Sequence, residues 1–177
     1  MIFDFNYRVT VAVKTLIDLQ LMPIMALLEK AGQNGSKIVR QSTNDPVLYL
    51  DRLAAIFRHV SLNLDPGQPH PASGLAIQVV WPVLSQTCTV YVQDSRIMER
   101  TCRALRFVIR CIGTQSAPLV EPLVKLLVSL YHTHPHSCFL YLVSKKAQSF
   151  VSFNLGAGQR FRIISAWRAR SSACLSF

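Results

Sequence analysis

The feature that most constrains this 177-residue chain is a recurring one: apolar positions at helical spacing, cut by proline and glycine into stretches of about 15 to 20 residues. A first helix is expected over Val11–Lys30, broken or kinked near Pro23, where a backbone donor is missing. Residues 31–44 are polar and read as a loop. Asp45-Pro46 opens a second helix, with Val47, Leu50, Leu53, Ala54 and Phe57 forming one buried stripe. Pro66-Gly67, Pro69 and Pro71 stop it. Ser73 is expected to cap a third helix that runs to about Cys88 and bends at Pro82. Asp94 or Ser95 caps a fourth, which ends at Gly113. Ser116, with Pro118 just inside, starts a fifth that ends near His132. Pro135 breaks the chain, and a sixth begins around His136–Leu142.

Long helices with short breaks, at a pitch of about 40 residues per pair, predict an all-α HEAT-repeat solenoid of about two to three helix pairs with irregular termini. A closed bundle is the competing architecture. With half of its residues apolar and 16% charged, the chain has the composition of a folded protein rather than a disordered one. Met1–Leu28 is apolar but carries Asp4, Arg8, Lys14 and Asp18, which argues against a signal peptide. Charge also excludes any run of 18 uncharged apolar residues, so a soluble protein is expected. Five widely spaced cysteines, with no C-x-x-C pair, fit a reducing intracellular compartment.

One segment carries distinctive chemistry. Along the fourth helix stand Arg96, Arg100, Arg103, Arg106 and Arg110, spaced four, three, three and four residues apart. At 3.6 residues per turn they fall in a sector of roughly 120°, opposite Met98, Thr101, Leu105, Val108, Ile109 and Ile112. Glu99 alone lies among them to neutralise the charge. Like charges at this spacing repel, so the stripe asks for an anionic partner. Phosphate and clustered carboxylate suit it, because guanidinium offers a rigid bidentate fork. The competing reading is a stripe paired with acids on neighbouring helices. Asp51 and Arg52 are expected at a helix surface or an inter-repeat contact.

Other constellations are weaker. His132, His134, His136 and Cys138 alternate around a proline-broken turn, which does not preset tetrahedral metal geometry; they read as loop and cap residues. Glu121, between Pro118 and Pro122, complements the helix dipole. There is no phosphate-cradling glycine loop, nucleophile elbow or paired catalytic carboxylate, so no enzyme is expected. Residues 143–177 carry six basic residues and no acid. Phe150, Phe153, Phe161 and Trp167 interleave with that charge, which leaves weak RNA binding by the tail as a further possibility.

Four stretches carry a resemblance: residues 45–59 (DPVLYLDRLAAIFRH), 81–85 (WPVLS), the arginine helix, and 136–142 (HSCFLYL). Together they are similar to the importin-β superfamily of nuclear import receptors. The likeness covers residues 19–142; residues 1–18 stand outside it, and 143–177 form a basic tail unlike the family and expected to be disordered. The resemblance implies a HEAT superhelix working between cytoplasm and nucleus without a cofactor, a membrane or a specific nucleic acid. It implies that Arg96, Arg100, Arg103, Arg106 and Arg110 face cargo, the phosphorylated serine/arginine-rich splicing factors. The repeats that bind the GTPase Ran in full-length relatives are absent from this stretch.

Overall fold

The computed structural model describes residues 2–33, 45–60, 68, 70–139 and 142. Those residues form α1 (Ile2–Gln33), α2 (Val47–His59), α3 (Ser73–Leu75), a π-helical turn (Ala76–Val80), α4 (Trp81–Val90), α5 (Ser95–Ile112), a 3₁₀ turn (Gly113–Ser116) and α6 (Ala117–Thr133). Residues 137–139 are helical again. No strand occurs among the described residues. α1 packs on α2 and on α4, α2 packs most extensively on α5, and α4 also packs on α5 and α6. Two layers result, α1–α4–α6 and α2–α5, as stacked helix pairs require. The expected all-α repeat architecture is the observed one.

Each helix forms for a local reason. Asp45 lies just before α2, and its Oδ1 accepts the Val47 N–H at 3.0 Å, supplying the expected cap. Leu50, Leu53, Ala54 and Phe57 are buried as the stripe predicts, and Val47 is half-buried against them. The Asp94 carboxylate accepts the N–H groups of Arg96 (3.0 Å) and Ile97 (3.2 Å), and Gly113 ends α5 at φ 56°. That positive φ is the reason for a glycine there. The buried hydroxyls of Thr87 and Thr101 donate to the carbonyls of Val83 and Ile97, so neither is stranded in the core.

Several expectations are corrected. The first helix is continuous from Ile2 to Gln33, through Pro23 and into the region read as loop. Pro23 does not break it because the same helix buries Val13, Ile17, Leu21, Ile24 and Leu28 in the common core. Residues 34–44 lie outside the described residues. Ser73 does not cap, since that helix start has no side-chain cap bond; Ser116 does stand at the start of α6 as expected, its hydroxyl donating backward to the Gly113 carbonyl at 2.6 Å. Pro82 does not simply bend its helix. Just before it the chain widens into the π turn, and the Trp81 N–H donates to the Ala76 carbonyl five residues back. A proline ring crowds the preceding turn, and a wider turn relieves that crowding. Glu121 pairs with Lys125 at 2.7 Å on the surface of α6.

Thr10–Gly32 is long and apolar enough to cross a membrane by length and composition. In the fold its inner stripe is core, while Lys14 and Asp18 form an ion pair on its outer side. Val11, Leu16, Leu19, Met22 and Met25 remain exposed on that outer side, giving α1 a second apolar face.

A buried latch closes the α2–α5 end. His70 is 6% exposed, its backbone N–H donates to Gln115 Oε1 (3.1 Å), and its Nδ1 accepts the Ala72 N–H (3.1 Å). The ring proton therefore resides on Nε2, 3.6 Å from the Cys111 sulfur. Cys111 donates to the Val60 carbonyl at 3.3 Å, and burial pushes its thiol up to about 11. The pair is a latch of two donors, not a nucleophile and its base. Burial lowers the His70 pKa below 6.5, and protonation would also set a second donor against the Ala72 N–H. Stability should be full above the unfolded value of 6.5 and decline as pH falls through the lower folded value. In urea unfolding between pH 7.5 and 5, the wild type should lose up to about 1.4 kcal/mol per pH unit within that window, and His70→Gln should remove this component.

Candidate arginine-lined site

α5 is the most sharply two-sided helix of the fold. Its buried side carries Ile97, Met98, Thr101, Cys102, Leu105, Val108, Ile109 and Ile112, with Ala104 and Phe107 at the margins. That burial fixes its rotation and sends all five arginines to the other side. Arg96, Arg103 and Arg110 are exposed; Arg100 and Arg106 are half-buried.

The stripe is not electrically uniform. Arg96 Nη2 lies 2.7 Å from Oδ2 of Asp45, the same carboxylate that caps α2. Arg100 and Arg103 both approach one oxygen, Asp51 Oδ1, at 3.4 and 3.7 Å. Three of the five guanidiniums expected to await an anion thus have carboxylate neighbours at Asp45 and Asp51. Asp51 does make the inter-repeat contact expected of it. Arg100 keeps a buried Nε with no hydrogen-bond partner among the described residues.

Toward the carboxy-terminal half the character changes. Arg106 and Arg58 both lie over the Phe107 ring, 4.9 and 5.8 Å from its centroid. Such stacking is worth about 0.5 to 1 kcal/mol at exposed positions and sets the plane of each guanidinium. Arg58, Arg103, Arg106 and Arg110 line a cavity of about 440 Å³ in which Glu99 is the one acid. Arg58, Phe107 and Arg110 also border a second cavity of about 540 Å³ that reaches His59 and His70. Arg58 was not among the sequence candidates. Its signal was present, since Phe57-Arg58-His59 ends α2 with two basic residues, but only the packing of α2 on α5 carries Arg58 to the stripe.

The histidine cluster is structural in its contacts. The His136 ring bonds to the Val92 carbonyl and meets Phe139 edge-on, and His134 stacks on His136. Among the described residues no group of three or more His, Cys, Asp or Glu side chains could hold a metal ion. The basic tail with its RNA-binding reading, residues 143–177, lies outside the described residues.

With this geometry in place, the relatives are informative. Residues 70–153 match the sequence model of the transportin-3/importin-13 fourth TPR domain. Over that span the chain is similar to the transportin-3/importin-13 family. Transportin MOS14 of Arabidopsis thaliana is 26% identical over 126 residues, which is 71% of this chain and 12% of that protein's length. The transportin-3/importin-13 match includes α5 with all five arginines and runs past Leu142 to residue 153, beyond the point where the four resembling stretches end. Its description speaks of TPR units where the pitch suggested HEAT; both are stacked antiparallel helix pairs.

Asp51 offers a direct measure of how much the stripe depends on its internal partners. The pairs are long and partly exposed, with side-chain exposures of 33% for Arg100, 46% for Arg103 and 36% for Asp51. Asp51→Asn should therefore cost no more than about 1 kcal/mol in urea unfolding. A loss of several kcal/mol would mark these arginines as primarily structural.

Proposed function

We propose that this chain is a cargo-recognition segment of a nuclear import receptor and that it takes phosphorylated serine/arginine-rich splicing factors on α5. The observation carrying this reading is the cavity where four guanidiniums meet a single carboxylate, Glu99. Phosphate is the partner that best matches it, because each guanidinium can offer two parallel charge-assisted bonds. We give the five arginines unequal weight in this reading. Arg106 and Arg110, joined by Arg58 and by Arg103 at the border, make the anion-facing end; Arg96 and Arg100 serve more as inter-helix ties. Similarity to the transportin-3/importin-13 family supports a transport receptor moving between cytoplasm and nucleus rather than an enzyme. Ran, as the partner in full-length relatives, belongs to the whole receptor, since the matched stretch spans 12% of Transportin MOS14.

The ion pairs to Asp45 and Asp51 favour a second reading, a solenoid segment whose arginines bind neighbouring repeats and no ligand. Titration of phosphorylated and unphosphorylated serine/arginine peptides separates the two. Phosphorylated peptide should bind, weaken as salt rises past a Debye length of about 8 Å, and lose roughly tenfold affinity or more in the Arg106→Gln/Arg110→Gln double variant. Arg96→Gln should change little, and Asp51→Asn should tighten binding by freeing two guanidiniums. Equal affinity for the two peptides removes phosphate reading. Indifference to the double variant, together with a stability loss, leaves the structural reading.

A further inference from the structure

The arginine-lined cavity also holds sulfur, and nothing in the cargo reading uses it. Cys102 of α5 and Cys138 of the 137–139 stretch both border this cavity of about 440 Å³. Cys102 is buried and Cys138 half-buried, and both are free thiols. Across this cavity the two thiols act on each other's titration, Cys102 being raised and Cys138 lowered by their side-chain interaction.

The described cysteines divide sharply in character. Burial pushes Cys88 up to about 12 and Cys111 up to about 11, and Cys102 is raised by its side-chain interaction with Cys138 and by burial. Cys138 is the one drawn downward, first by the Cys102 thiol and then by the backbone N–H groups of Cys138 and Phe139, against burial and the charge of Glu99. A thiol with thiolate character, access and basic neighbours is the reactive kind; a buried neutral thiol is inert.

From the meeting of the Cys102–Cys138 pair with Arg103, Arg106 and Arg110 in one cavity, we infer that Cys138 is a modification site that forms mixed disulfides with acidic, carboxylate-bearing small disulfides. The Cys138 sulfur attacks one sulfur of the reagent. A new S–S bond forms at Cys138, the reagent's own S–S bond breaks, and the departing thiolate takes a proton from solvent. Cys138 is oxidised, one reagent sulfur is reduced, and no further reactant is needed. The guanidiniums hold the reagent's carboxylates, and the cavity lies within the range of about 300 to 1,000 Å³ usual for small ligands. An adduct there would occupy the anion-facing end of the stripe and shut it to other anions. The inference does not depend on what the stripe binds otherwise.

The test uses the full chain carrying Cys174→Ser, so that the remaining thiols are the four described ones. Dithiobis(nitrobenzoate), a carboxylate-bearing disulfide, is compared with the amine-bearing cystamine. Each rate is divided by the rate with a free cysteine peptide, and adducts are located by mass spectrometry. Cys138 should carry the first adduct and react roughly tenfold faster with the acidic reagent. Arg106→Gln/Arg110→Gln should erase that preference, and Cys138→Ser should remove the fast phase. Cys102→Ala should move the pH midpoint of the reaction upward. Arg58 on α2, Cys88 on α4, and Glu99, Arg103, Arg106 and Arg110 on α5 remain in place in that variant. A first adduct on Cys111, or equal normalised rates with the two reagents, would overturn the assignment. Localisation on the otherwise unaltered chain decides the matter even if Cys138→Ser fails to fold.

Discussion

The seam between α2 and α5 is the constraint on which the site depends. Leu50, Leu53, Ala54 and Phe57 on one helix and the broad apolar side of α5 on the other leave a single way for the two to pack. Everything polar nearby is a passenger on that choice. Asp45 and Asp51 arrive opposite the first three arginines, and Arg58 arrives opposite the last two. A small rotation of α5 would trade these neighbours, so apolar packing sets the electrostatics rather than the reverse. This order of causes is physically reasonable, because exposed ion pairs contribute about 0 to 1 kcal/mol each while a buried leucine contributes about 1.5 to 3.

The stripe is best understood as graded along its length. At its start, carboxylates from the adjoining pair lower the local potential. At its end, aromatic stacking holds two guanidiniums in place, since a ring face offers quadrupole attraction. The thiol pair sits at this same end.

Much of the architecture was legible from residues alone. The caps at Asp45 and Asp94, the stop at Gly113 and the stripe of α2 all follow from local chemistry that tertiary structure has no reason to override. The face of α5 was legible for the same reason: strong periodicity leaves one solution. What escaped was decided at longer range. Pro23 promises a break, yet a helix long enough to bury residues from Val13 to Leu28 outweighs one missing donor of about 3 kcal/mol. Pro82 is accommodated by a change of helix type that no propensity announces. Ser73 carries the right side chain one place too late, because Ala72 already holds the cap position. Asp51 was expected at a helix surface or an inter-repeat contact, but its partners, Arg100 and Arg103, are set by packing and not by spacing.

One arrangement within the site has a further consequence. Asp51 offers the same oxygen to two guanidiniums. Should an incoming anion draw Arg103 away, the carboxylate is not stranded, because Arg100 remains beside it. Recruitment of the stripe can then proceed as a relay, each arginine released in turn while the one behind it keeps the acid company. Engagement along α5 would be incremental, with shorter anionic chains enlisting fewer arginines and longer ones enlisting more.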